Sequence, residues 1–131
     1  HFKDINDKYG HVAGDKILYE IAHILEKNIR QGDIAARFGG EEFVVILLQA
    51  DVINAYKMAE RVRKIIEKAK FDFSENSVGI TVSIGVTCVA NGEVMESSEI
   101  IKQADVALYE AKNSGRNSTR IYECKNKDKT N

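Results

Sequence analysis

Gly39-Gly40-Glu41-Glu42-Phe43 sets two residues that lack a Cβ directly before two adjacent carboxylates and an aromatic side chain. Glycines let a backbone approach a bulky group such as a phosphate closely. Neighbouring carboxylates at the mouth of a strand make a hard-oxygen site suited to Mg²⁺. A plain turn followed by two solvated acids also fits these five residues. A second group lies in the run His1-Phe2-Lys3-Asp4-Ile5-Asn6-Asp7-Lys8-Tyr9-Gly10-His11-Val12-Ala13-Gly14-Asp15. Taken singly, Asn6 and Asp15 are ordinary turn and cap residues, and His11 is a solvated loop histidine. The two cysteines, Cys88 and Cys124, are far apart, and no Cys/His spacing suggests zinc or a disulfide framework. A reduced, cytoplasmic protein fits them best.

The elements that must position these groups follow from periodicity. Ile17, Leu18, Ile21, Leu25 and Ile29 form a helical stripe over 14–31, after a turn-prone Gly10–Gly14 region. Strand-like runs at Asp33–Phe38 and Glu42–Leu48 flank Gly39-Gly40, which reads as a tight β-hairpin. Phe43–Leu48 is apolar at every position and predicts a central strand covered on both faces. A helix capped by Asp51 carries Val52, Ala55, Ala59, Val62, Ile66 and Ala69, and an alternating strand spans 78–89. A helix from Ser97 to Ser114 stops at Gly115, and a short strand covers Arg120–Glu123. The order predicts helices packed on a largely antiparallel sheet, an α/β (α+β) fold in one domain over 1–124, with a loose tail over 125–131.

At 131 residues the chain has room for one ordinary domain and needs no disulfide or metal staple to fold. Nineteen basic against twenty acidic residues leave a net charge of −1, which disfavours non-specific grip on DNA, RNA or an anionic membrane. The longest wholly apolar run, Phe43–Leu48, is far too short to span a bilayer.

Four blocks together resemble the GGDEF family, the diguanylate cyclases. They are the N-terminal run to Asp15, Arg37-Phe38 with the Gly-Gly-Glu-Glu-Phe signature, Thr81-Val82-Ser83-Ile84-Gly85-Val86, and Ala104-Asp105-Val106-Ala107-Leu108-Tyr109-Glu110-Ala111-Lys112-Asn113-Ser114-Gly115-Arg116-Asn117. The third signature position is Glu41 here, a variant of the Asp in the family's name.

The resemblance implies the βααββαβ palm of nucleotide cyclases and polymerases. It also implies condensation of two GTP into cyclic di-GMP and pyrophosphate by two facing domains, a homodimer, with Mg²⁺ or Mn²⁺ as the metal. By residue it implies Glu41 as metal carboxylate with Glu42 as neighbouring catalytic acid, and Asn6 and Asp15 on the guanine edge. Phosphate contacts fall to the backbone of Phe2 and Lys3, to Gly39 and Gly40, and to Lys112 and Arg116. His11 lies inside the matched run and joins the substrate-binding set. Arg30-Gln31-Gly32-Asp33 resembles the family's inhibitory RxxD site for cyclic di-GMP, with Arg61 as the arginine completing it from a neighbouring domain. A GGDEF domain that only binds GTP or cyclic di-GMP is the alternative, although every signature residue present here is intact.

In the family an aspartate-bearing strand precedes the HFK segment and supplies a metal ligand. No such strand precedes His1, so the sequence reads as a piece of something longer. The polypeptide from His1 is therefore expected to be inactive or nearly so, and its parent could be membrane-anchored through another part.

Overall fold

In the computed structural model, which describes residues 2–73 and 75–123, Gly10 divides the N-terminal region into two helices, α1 (Phe2–Tyr9) and α2 (His11–Asn28). Its φ of 91° is open to glycine and strained for other residues, and it turns the chain sharply between them. Strands β1 (Ile34–Arg37) and β2 (Phe43–Ile46) follow, then α3 (Val52–Lys68), β3 (Phe71–Phe73), β4 (Asn76–Val78), β5 (Ile84–Val86), α4 (Ser97–Asn113) and β6 (Thr119–Ile121). The core lies where the stripe of Ile17, Ile21 and Leu25 on α2 meets Val62 and Ile66 of α3 and the ring of Phe71. Phe43 and Val45 pack on it from β2, and Ile80 and Val82 from the segment before β5.

The strands form three two-stranded ladders. β1 and β2 run antiparallel, with Ile34 opposite Ile46 and Arg37 opposite Phe43; β3 and β4 run antiparallel; β5 and β6 run parallel. Helices on strands give the expected α+β architecture. Asp51 caps α3 as its sequence suggests, accepting from the backbone N–H of Asn54 at 2.7 Å. α4 lies against β5 and β6, and Ala107 and Ala111, both 0% exposed, give it a close seat.

Several expectations change. The second helix covers 11–28 rather than 14–31, because Gly14 is an interior helix residue: Asn6 of α1 packs on it, and a Cβ there would lie 1.9 Å from Asn6 Oδ1. The hairpin is present, but its connection is longer than the tight one expected. Five residues, 38–42, connect β1 to β2, and neither Gly39 nor Gly40 has a positive φ. β2 is not covered on both faces. Phe43 and Val45 face the core, while Ile46 is 49% exposed on the same side as its partner Ile34, and β2 pairs with β1 alone among the described residues. The alternating run 78–89 is not one strand: Val78 ends β4, which turns back onto β3, and Ile84–Val86 form β5, which pairs with β6. The last strand is Thr119–Ile121 rather than Arg120–Glu123. Cys124 and the tail 125–131 lie outside the described residues.

The β3–β4 hairpin, which the sequence did not suggest, braces the α1–α2 junction. Tyr9 at the end of α1 stacks edge-on against Phe73, ring centroids 5.0 Å apart, and Lys16 Nζ donates to the carbonyl of Asp72.

Candidate active site

At the α1–α2 junction, Phe2 and Asn6 lie one turn apart on α1 and both press on Gly14; the ideal Cβ position there is 2.9 Å from Phe2 Cζ. Asn6 Oδ1 is buried and accepts no hydrogen bond among the described residues. A buried acceptor left without a donor costs about 1–3 kcal/mol. Asp15, next in sequence to Gly14, is exposed and lines a cavity of about 300 Å³ between α2 and the β1–β2 hairpin. Leu18 and Leu25 line the helix side of this cavity; Ala36, Arg37 and Phe43 line the strand side. The fold therefore brings the N-terminal block to the root of the signature hairpin. Lys3 on α1 and His11, the first residue of α2, are exposed near the same junction.

The hairpin tip is fixed from inside. Phe38 and Gly39 N–H groups donate to the carbonyl of Glu42 at 2.8 and 3.4 Å. Arg37 Nε donates to the carbonyls of Gly40 at 3.0 Å and Gly39 at 3.3 Å, and its Nη2 also donates to Gly40. Sequence reasoning gave Arg37 no role, although its place directly before the signature was the available signal. A Cβ at Gly39 or Gly40 would meet nothing within 4 Å, and neither residue needs a left-handed backbone. Nothing among the described residues requires glycine at either position. Bare, exposed backbone beside Glu41 and Glu42 suits an oxygen-rich ligand arriving from outside.

Glu41 and Glu42 are both exposed. Among the described residues no group of three or more His, Cys, Asp or Glu side chains converges as a metal cage. Mg²⁺ is commonly held by one or two carboxylates with substrate phosphates and water completing its shell. The exposed Glu41–Glu42 pair fits that partial donor set.

Lys112 and Arg116 sit at the far end of α4, Lys112 half-buried and Arg116 exposed. Gly115, with φ 106°, ends the helix as expected, and the N–H of Arg116 reaches back to the carbonyl of Ala111 at 3.1 Å. No hydrogen bond or ion pair among the described residues joins either cation to the hairpin tip.

The RxxD segment is largely occupied with its own loop. Asp33 accepts from the N–H groups of Arg30 at 3.0 Å and Leu48 at 2.9 Å, and Arg30 Nη2 donates to the carbonyl of Leu48 at 2.8 Å. The Leu48 N–H, then the Arg30 N–H, hold the Asp33 carboxyl below its ordinary pKa. Arg30 nevertheless keeps its side chain 67% exposed. Arg61 of α3 donates to the side-chain and backbone oxygens of Asn28 at 3.1 and 3.0 Å, two residues before Arg30.

The GGDEF family pattern, described as "Diguanylate cyclase, GGDEF domain", matches residues 1–118. The chain belongs to the GGDEF family. It is 44% identical over 120 residues to Diguanylate cyclase A of Treponema denticola, covering 92% of this chain and 32% of that protein. This GGDEF chain thus spans about a third of the length of that curated relative. Among solved structures it resembles the active GGEEF domain of a diguanylate cyclase from Vibrio cholerae, with TM-score 0.86, 34% identity and coverage of 95% and 78% of the two chains. The GGDEF domain of DgcB from Caulobacter crescentus in complex with c-di-GMP gives TM-score 0.87, 30% identity and coverage of 95% and 73%. No helix among the described residues of this GGDEF domain is long and apolar enough to cross a membrane.

Proposed function

We propose that this GGDEF domain condenses two GTP molecules into cyclic di-GMP. The observation that carries the reading is the buried, donorless Asn6 Oδ1 beside Gly14 and Asp15. Guanine brings two donors on one edge, N1–H and N2–H₂; adenine has neither at those positions. Asn6 and Asp15 can accept both. Phe2 and Lys3, at the start of α1, offer backbone N–H groups to phosphate, as helix N-termini do. His11 borders the same end of the nucleotide. Lys112 and Arg116 neutralise the triphosphate, and Gly39 and Gly40 leave the tip open to it.

In each half-reaction a ribose 3′-hydroxyl oxygen bonds to the α-phosphorus of the opposite GTP. The bond from that phosphorus to the bridging oxygen breaks, and pyrophosphate leaves with that oxygen. Glu42 would take the hydroxyl proton, and Glu41 is the carboxylate that would hold the metal. Bound Mg²⁺ or Mn²⁺ supplies charge neutralisation at the reacting phosphate. One domain presents one GTP, so two copies must face each other, and closing both ester bonds releases two pyrophosphates. Arg30, Asp33 and Arg61 form the surface to which product returns as an inhibitor. A GTP requirement and the free thiol of Cys88 support a cytoplasmic domain.

The test is to incubate the natural full-length protein with GTP and Mg²⁺ and to separate the products by chromatography. Cyclic di-GMP with two equivalents of pyrophosphate is the expected result. Tight guanine-nucleotide binding without turnover would make the domain a receptor instead.

A further inference from the structure

Three consecutive residues after α4 have positive φ: Gly115 at 106°, Arg116 at 62° and Asn117 at 44°. Glycine enters this region freely, and asparagine with modest difficulty, but arginine does so only when its surroundings enforce it. The enforcement comes from α3. Arg63 Nη1 donates to Asn117 Oδ1 at 2.9 Å, across 54 residues of sequence. Every part of that guanidinium is committed: Nε and Nη2 bond the two oxygens of Glu60 at 2.5 and 3.1 Å, and Nη1 also reaches Glu67 at 3.1 Å. Thr119, buried at the start of β6, donates Oγ1 to Glu60 at 2.9 Å. The turn is thus pinned at Asn117 by Arg63 and just beyond it by Glu60. The pair is mostly shielded from water, the Arg63 side chain being 12% exposed and Glu60 21%.

We propose that Arg63, oriented by Glu60, is a positioning residue for triphosphate binding: it locks the left-handed 115–117 turn and so fixes where Arg116 presents its guanidinium. This rests on the reading of Arg116 as a phosphate ligand. Arginine suits the task because a planar fork can hold a carboxylate with two donors while a third faces the amide oxygen, which lysine cannot do. Neither Arg63 nor Glu60 lines the cavity beside Asp15, so guanine recognition does not depend on them.

The test measures GTP and guanosine affinity by calorimetry in the natural full-length protein, with Arg116→Ala, Arg63→Met, Arg63→Lys, Asn117→Gly and the Arg63→Met/Arg116→Ala pair. Arg63→Met should weaken GTP roughly tenfold, the worth of one charge-assisted hydrogen bond, and leave guanosine unchanged. Arg63→Lys should be no better, since it keeps the charge and loses the fork. The double variant should bind GTP no more weakly than Arg116→Ala alone, because the first change acts only through the second residue. If Arg116→Ala leaves GTP affinity intact, the phosphate reading itself fails. If Arg116→Ala weakens GTP but Arg63→Met does not, or the two add, or guanosine falls in parallel, the positioning role is wrong. Should Arg63→Met not fold, Asn117→Gly decides. It removes the anchor while easing the backbone, and unchanged GTP affinity there overturns the proposal.

Discussion

Gly14→Ala adds one methyl group and nothing else, and the geometry says what that methyl meets. The residue lies inside α2 with ordinary helical torsions, so alanine is conformationally acceptable and gains about 1 kcal/mol of helix propensity. The added Cβ, however, would sit 1.9 Å from Asn6 Oδ1, 3.0 Å from Asn6 Cγ and 2.9 Å from Phe2 Cζ. Contacts that short force Asn6 and the end of Phe2 away. Overpacking of this kind costs about 1–3 kcal/mol, so the net loss of stability lies between nothing and about 2 kcal/mol. Losing the hydrogen bond from guanine to Asn6 costs about 1–3 kcal/mol of binding, or roughly 5- to 150-fold in affinity. Competition against a fluorescent guanine nucleotide reads the effect directly. Wild type should prefer GTP over ATP by at least tenfold, on the order of one lost hydrogen bond. Gly14→Ala should lose most of that preference while remaining folded, and Asn6→Ala should match it. A Gly14→Ala protein that still discriminates GTP from ATP as wild type does would refute the assignment of Asn6 to guanine.

Gly39→Ala and Gly40→Ala should each leave the melting temperature unchanged or slightly raised, since alanine fits there and restricts the unfolded chain by about 0.4–1 kcal/mol. Cyclic di-GMP formation should nevertheless fall by roughly 10²-fold as the triphosphate is displaced; retained turnover would mean the bare tip has no substrate role. Arg30→Ala should weaken cyclic di-GMP binding in calorimetry without changing GTP binding, and unchanged affinity would confine Arg30 to its loop contact with Leu48. Acid should destabilise the fold through Asp33 and through Glu60, whose pKa is lowered first by its hydrogen bond from Arg63. A carboxylate with a depressed folded pKa contributes fully above its unfolded value, near pH 4 to 4.5, and loses that contribution as pH falls through the lower folded value. Urea midpoints should therefore drop below about pH 5, and Asp33→Asn should flatten the drop; an equal slope in both proteins would contradict the Asp33 contacts.

How much of this was legible in the sequence depends on how local the cause is. The start of α3 at Asp51 and the stop of α4 at Gly115 were readable because a cap and a left-handed glycine act within a few residues. Gly14 looked like part of a turn because glycine usually is; its real reason, Asn6 folded across from another helix, is tertiary. The β3–β4 hairpin was missed because its strands are three residues each and carry Asp72, Asn76 and Ser77. Phe43–Leu48 was overread for a related reason: an apolar run predicts burial, but burial needs a second layer, and Ile34 and Ile46 face outward without one. Beyond the paired carboxylates of the tip, candidate site residues were legible only through the family resemblance. Arg37 lay within a block and Arg63 did not; the Glu60–Arg63–Glu67 spacing reads as helix-surface pairing until Asn117 arrives beneath it.

The residues that the fold explains and those that it does not fall on different parts of the molecule. Ile17, Val62, Ile66 and Phe71 are what a core between two helices and a strand requires, and no ligand is needed to account for them. Asn6 Oδ1 is buried without a donor, Gly39 and Gly40 are bare without a steric or conformational cause, and Arg116 holds a backbone conformation that costs energy. Each runs against stability, and each would be relieved or used by a different part of one molecule: a base edge with two donors, a phosphate needing close approach, and a phosphate needing a cation at a set angle. One small molecule carries all three. On the proposed reading, a guanine nucleoside triphosphate would account for these residues together, and the two carboxylates at the tip would meet the metal that its phosphates bring.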